Sequence, residues 1–312
     1  MTHNNLGDEI SKFLKFNIPN TSPHFETTAI SEEEDYTRLL IRYADGEGDP
    51  IPAYLLLPKG RGPFPAVLIQ HQHNSQWHLG KSEAVGLAGD PLQAFGPALA
   101  QKGIVVLASD SICFEDRRRN QQGLEPDEAG DWLQHYNEMS YRLLNGDILM
   151  RKILADAACG ISILSEHPLV DQQRIGTLGH SYGGNTVLFH TALDLRVKFG
   201  CSSGAACTYK NKMKHGTGIE MAEIIPGFAQ RFDIEDLVKC IVPRNILVVS
   251  STEDKFAQDA GEIVDKARAA CPDASVADKI EHKRYRGGHA ITRERFEFIV
   301  DWIQRRSEQT NL

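Results

Sequence analysis

The chain has 312 residues, of which 41% are hydrophobic and 24% charged, with 34 Lys and Arg against 42 Asp and Glu for a formal charge of −8. This composition excludes disorder, collagen and coiled coil, and an acidic chain without a sustained basic stripe lacks the electrostatic footprint of a nucleic-acid binder. The first twenty residues hold no apolar stretch fit for a signal peptide, and no segment reaches the ~18–20 apolar residues of a membrane span. A soluble, cytoplasmic protein without a membrane partner is therefore expected, its six cysteines (113, 159, 201, 207, 240, 271) being free thiols.

Residues 1–35 read as an N-terminal arm and a candidate for homodimer formation, followed by one domain over 36–312. The runs 36–43 and 51–57 flank turn residues Asp45 to Pro50 and predict an antiparallel hairpin with a long loop. Short, β-branched apolar runs then appear at 66–69, 104–108, 175–178 and 246–249, the pattern of strands buried on both faces of a parallel sheet. Between and after them lie helical periods at 91–102, 147–165, 183–193, 257–270 and 292–306. In the second of these, Ile148, Leu149, Ile153, Leu154, Ala157, Ile161 and Leu164 form one apolar stripe. The alternation predicts an α/β fold, a mostly parallel sheet with helices on both faces and an N-terminal antiparallel hairpin. Segments 111–145 and 204–238 break the rhythm and are expected to be lid insertions.

Residues 174–184 form a strand that enters Gly179-His180-Ser181-Tyr182-Gly183 and continues as an apolar helical segment, the context of a nucleophile elbow. Glycines two residues either side of the serine let strand and helix approach, and Ser181 would sit at a helix N-terminus where the Tyr182 amide favours an oxyanion. Gly200-Cys201-Ser202-Ser203-Gly204 matches the same pattern. The residues after Gly204 are polar and lack helical periodicity, so Ser181 is favoured over Ser202.

A triad in the order Ser, acid, His can be completed. The strand 245–250 runs into Ser251-Thr252-Glu253-Asp254, which makes Asp254 the acid, with Glu253 and Asp259 as solvated alternatives. A short strand ending in Gly287-Gly288-His289 before a helix makes His289 the general base, ahead of His282 within the strand. Strand 66–69 leads into Gln70-His71-Gln72-His73-Asn74, where the His73 amide, or that of Gln72 one register away, would be the second oxyanion donor. The same segment holds a rival: His71 and His73 at i and i+2, with His78, could grip a metal, although Asn74 and Ser75 interrupt the usual H-x-H-x-D-H pattern.

From about residue 36 to 306 the chain resembles the α/β-hydrolase superfamily, in its dienelactone hydrolase, acetyl xylan esterase and prolyl-oligopeptidase-like branch. The lead-in from Pro168-Leu169-Val170-Asp171 to Arg174-Ile175-Gly176 and the elbow carry the likeness, with Asp194-Leu195-Arg196-Val197 and Ser251-Thr252-Glu253-Asp254. The resemblance implies a serine hydrolase without cofactor, acting on small-molecule esters or lactones. Three departures stand out: His71-Gln72 replaces the usual His-Gly, a serine replaces the dienelactone hydrolase cysteine, and Cys113 and Glu115 occupy places where relatives carry glycine. Arg117 would hold a substrate carboxylate or, as favoured, a neighbouring acid.

The insertions contribute Trp132, His135, Tyr136, Met139, Met221 and Phe228 as candidate substrate-binding residues. A mixed aromatic and aliphatic lid suits a bulky, partly apolar ester or a macrocyclic lactone. The expected activity is carboxylic ester hydrolysis through an acyl-enzyme; a metal-dependent hydrolase using His71 and His73 and a non-catalytic binding protein are the alternatives.

Overall fold

The computed structural model of the protein describes residues 3–19 and 24–309. Its centre is a nine-stranded sheet in the order β1-β2-β3-β5-β4-β6-β7-β8-β9. The strands are β1 (Phe25–Glu32), β2 (Tyr36–Ala44), β3 (Pro50–Pro58), β4 (Phe64–Gln70), β5 (Val105–Ser109), β6 (Val170–His180), β7 (Phe199–Ser203), β8 (Asn245–Ser251) and β9 (Ile280–Tyr285). The helices are α1 (His3–Leu14), α2 (Lys81–Ala84), α3 (Phe95–Ala100), α4 (Glu128–Leu144), α5 (Leu149–Glu166), α6 (Tyr182–Leu193), α7 (Tyr209–His215), α8 (Ile234–Ile241), α9 (Ala260–Ala269), α10 (Ala274–Ala277) and α11 (Arg293–Glu308).

The expected hairpin is β2–β3, in antiparallel register from Tyr36–Pro58 to Ala44–Pro50. Beyond it β1, drawn from the residues read as an arm, adds an antiparallel edge strand with a bulge at Thr27–Ala29. Only Phe25 and Ser31 of that strand escape full exposure, so it has no alternating apolar pattern to announce it. From β5 onward neighbouring strands are parallel. The segment 91–102 is a 3-10 turn, Pro91–Gln93, and then α3.

Strand side chains alternate between two packed layers. Val67, Ile69, Val106, Leu178 and Leu247 meet α3 and α11 on one face, whereas Leu68, Val105, Leu107 and Ile175 meet α5 on the other. The elements α6, α8 and α9 continue that second layer, and α1 lies outside them against α6 and α8. Helix α8 therefore belongs to the body of the fold, and only the earlier part of 204–238 departs from the strand–helix rhythm.

The carboxyl ends of β4, β6, β7 and β8 open on one edge, which is where a parallel α/β sheet presents its loops.

Candidate active site

The turn from β6 to α6 holds Ser181 at φ 55° and ψ −121°, a left-handed conformation that a serine adopts only under constraint. Two hydrogen bonds supply it: Ser181 N–H donates to Ser203 O at 2.8 Å, and Asn185 N–H donates to Ser181 O at 3.0 Å. The flanking glycines are obligatory here. A Cβ on Gly183 would overlap the Gln70 carbonyl, and one on Gly179 would overlap the Gly183 backbone.

Opposite Ser181, His289 Nε2 lies 2.8 Å from its Oγ, and His289 Nδ1 lies 3.0 Å from both Asp254 oxygens. Asp254 is buried at the end of β8 and also accepts Phe256 N–H at 3.0 Å. With Nδ1–H directed at a carboxylate, Nε2 is the acceptor for the serine hydroxyl. The alternatives lie elsewhere: Glu253 is exposed, Asp259 binds the Thr208 hydroxyl and amide, and His282 pairs with Ser250. Ser202 is buried within β7, its hydroxyl donating to Gly184 O at 2.9 Å.

Two residues around this trio carry no sequence signal. Arg295 donates to the carbonyls of Gly288 at 2.9 Å and Ala290 at 3.0 Å, clamping the His289 loop from the first turn of α11. His180 packs its ring 4.7 Å from the His289 ring, with its Nδ1 3.0 Å from the Ser203 hydroxyl; burial first, then the nearby His289, pushes its pKa well below the usual range. His180 occupies the variable position of the elbow pattern and Arg295 has no periodic signature.

Among the described residues the amides of Tyr182, His73 and Gln72 find no hydrogen-bond acceptor in the protein, so both candidates for the second oxyanion donor, His73 and Gln72, have a free N–H beside that of Tyr182. The His73 side chain accepts Ser75 N–H at its Nδ1, 2.8 Å, and its Nε2 faces Glu220 at 2.8 and 2.9 Å. His71 donates from Nδ1 to Gln72 O at 2.8 Å and accepts Ser111 N–H at Nε2, 3.0 Å; burial pushes its pKa down to about 4. Every nitrogen of the pair is committed, which corrects the metal reading of His71 and His73. The described carboxylates close enough to share an ion are those of Asp110, Glu115 and Asp116. Lys81 Nζ sits among them at 2.9, 2.5 and 2.7 Å.

The proposed substrate contacts need larger correction. Phe228 is fully buried among Phe13, Phe189, Tyr209 and Phe232, and Met139 lies in the same core while Met221 packs on its edge. His135 is 2% exposed and accepts Trp77 Nε1–H at 2.7 Å. Trp132 and Tyr136 stack on each other at 5.1 Å, 46% and 42% exposed, on the outer side of α4. Arg117 is spent on Asp156 at 2.7 Å and the Asp110 carbonyl at 3.1 Å, the ion-pair alternative. Phe228→Ala is accordingly expected to cost about 3 kcal/mol in urea unfolding while KM stays within about twofold; a raised KM at unchanged stability would restore a substrate role.

A nine-stranded sheet of this order, parallel from β5 onward, with helices on both faces and a strained serine on the strand–helix turn, is the α/β-hydrolase fold. The family model described as acetyl xylan esterase matches residues 100–218. A protein of Bacillus subtilis (strain 168) named "Putative hydrolase YtaP" is 29% identical over 303 residues, covering 92% of this chain and 95% of that one. Among solved structures, one titled a putative acetyl xylan esterase from Bacteroides fragilis NCTC 9343 superposes with TM-score 0.74 at 17% identity, covering 91% of this chain and 74% of the other. Acetyl xylan esterase 1 from Thermoanaerobacterium sp. JW/SL YS485 does so with TM-score 0.62 at 18% identity, covering 97% and 93%. The likeness to these solved structures lies in the fold.

Proposed function

We propose that the protein hydrolyses carboxylic esters through an acyl-enzyme on Ser181. The observation that carries this reading is the 2.8 Å approach of His289 Nε2 to a serine hydroxyl held at φ 55°, with Asp254 behind the imidazole. Ser181 Oγ attacks the ester carbon as its proton passes to His289 Nε2, and the amides of Tyr182 and His73 receive the charge that develops on the carbonyl oxygen. The alcohol departs with the proton from His289. Water then repeats the sequence, releasing the acid and restoring the serine. Asp254 holds the imidazole in the Nδ1–H form and stabilises the imidazolium.

The substrate we favour is an ester with a short acyl group. The burial of Phe228 and Met139 and the pairing of His135 with Trp77 remove anchors that a bulky acyl chain or macrocyclic lactone would use. The matched family and two structural neighbours are described as acetyl xylan esterases.

Intact-mass measurement after fluorophosphonate treatment tests the chemistry. One adduct is expected on wild type and on Ser202→Ala, and none on Ser181→Ala; an unlabelled wild type would return the fold to a binding role. For the substrate, nitrophenyl acetate should exceed the decanoate and a macrocyclic lactone in kcat/KM by about tenfold or more. The reverse order would reinstate the bulky substrate.

A further inference from the structure

The loop after β4 is strained and held from two sides. Asn74 and Ser75, at φ 40° and 57°, are consecutive non-glycine residues in the left-handed region. Each is a sterically disfavoured backbone state for an L-residue and persists only where the surroundings over-determine it. Within the loop, Ser75 N–H donates to His73 Nδ1 and Gln76 N–H donates to His73 O at 2.5 Å. Because Nδ1 accepts, the ring proton sits on Nε2, aimed between the two oxygens of Glu220. Glu220 comes from the 204–238 insertion. Burial pushes its carboxyl up, but the His73 bond and the Lys212 ammonium outweigh this and hold it below its usual range.

The other side of the loop is held by the 111–145 insertion. The His73 ring stacks on Trp77 at 5.4 Å and 10°, and Trp77 Nε1–H donates to His135 on α4. Three residues past Glu220, Glu223 accepts Lys212 Nζ at 2.6 Å and the side-chain amide of Asn185 at 3.1 Å. Asn185 lies in the first turn of α6, three residues beyond Tyr182. The amides of Tyr182 and His73 are thus referenced to one short stretch of chain, Tyr182 through Asn185 and Glu223, His73 through Glu220.

We infer that Glu220 and His135 are positioning residues, through which the two insertions set the oxyanion loop by gripping His73 and Trp77. The insertions then complete the transition-state site instead of covering a bulky substrate. This rests on the reading of His73 as an oxyanion donor in the acyl-enzyme reaction.

The test is steady-state kinetics with nitrophenyl acetate, together with fluorophosphonate labelling rates, on full-length Glu220→Ala and Glu220→Gln beside Ser181→Ala. Losing an oxyanion donor costs about 10²–10³ in kcat, so misplacing one in Glu220→Ala should cost about 10 to 100-fold, slow labelling in proportion and leave KM within about threefold. Glu220→Gln, whose amide oxygen still accepts the His73 proton, should recover most of the rate. A raised KM at constant kcat would instead make Glu220 a substrate contact, and unchanged kinetics would show a loop that stands without it; either overturns the proposal. If Ser181→Ala keeps full activity, the acyl-enzyme reading itself falls, which is distinguishable because the proposal alone fails when only the Glu220 variants are silent. Should Glu220→Ala not fold, Trp77→Phe carries the test: it keeps the stack, removes the bond to His135, and should lower kcat by about 3 to 10-fold at constant KM. An unaltered rate in that variant overturns the proposal equally.

Discussion

Asp254→Asn is expected to lower kcat by about 10⁴-fold while leaving the fold and KM nearly unchanged. Both Asp254 oxygens lie 3.0 Å from His289 Nδ1, and one also accepts the Phe256 amide. An asparagine in that place would turn an amide N–H or a weaker acceptor toward Nδ1. It would favour the tautomer whose Nε2 carries a proton and cannot accept the serine hydroxyl's. Glu253→Gln, one residue away and exposed, should keep wild-type kinetics, since the Glu253 contact to the His289 loop is its backbone N–H to Gly287 O at 2.9 Å. The pair of assays assigns the acid: a large loss in Glu253→Gln and a small one in Asp254→Asn would overturn the triad as drawn.

The second large effect is on stability in acid. His71, His135 and His180 are buried around the site and held neutral, burial being the leading cause, with pKa values pushed to about 4, to about 3 and well below the ordinary value. A histidine whose folded pKa is depressed binds fewer protons when folded than when unfolded. Its contribution is therefore fully present above pH ~6.5 and is lost as pH falls toward the folded pKa. Between pH 7.5 and 5.5 His71 and His135 should each remove on the order of 1 kcal/mol of stability, and His180 acts in the same direction. Asp110 and Glu223 pull the other way, because burial raises their pKa values, with the neighbouring carboxylates Glu115 and Glu220 adding to it. The difference between variants isolates the histidine term. Urea unfolding of His71→Gln at the two pH values should show a loss smaller than wild type's by on the order of 1 kcal/mol, and equal losses would refute a neutral, buried His71.

The elbow was legible in the sequence because its requirements are local. Gly179 is demanded by a backbone overlap with Gly183, four residues on, that any strand–turn–helix of this kind creates. Asp254 and His289 were legible for a related reason: each follows a strand end, and strand ends on one edge of a parallel sheet converge. The replacement of glycines by Cys113 and Glu115 was visible, but its outcome was not. Both keep a positive φ, 70° and 39°, and Glu115 is held there by its carboxylate, which accepts Lys81 Nζ at 2.5 Å and the Ser82 amide and hydroxyl at 2.9 and 2.5 Å.

The insertions misled because aromatic composition does not say which way a side chain faces. Phe228 meets Phe13 of α1 at a ring separation of 6.0 Å, and nothing near residue 228 signals that a helix from the N-terminus will cover it. Hydrophobic periodicity and turn chemistry, which depend on residues a few positions apart, determined the α/β class, the strand-to-helix order and the nucleophile elbow. Pairings such as Glu220 with His73, 147 residues apart, and Arg117 with Asp156, 39 apart, were decided by the tertiary structure alone. The role of a polar side chain depends on the partner that long-range folding brings opposite it, and that partner leaves no periodic trace in the chain.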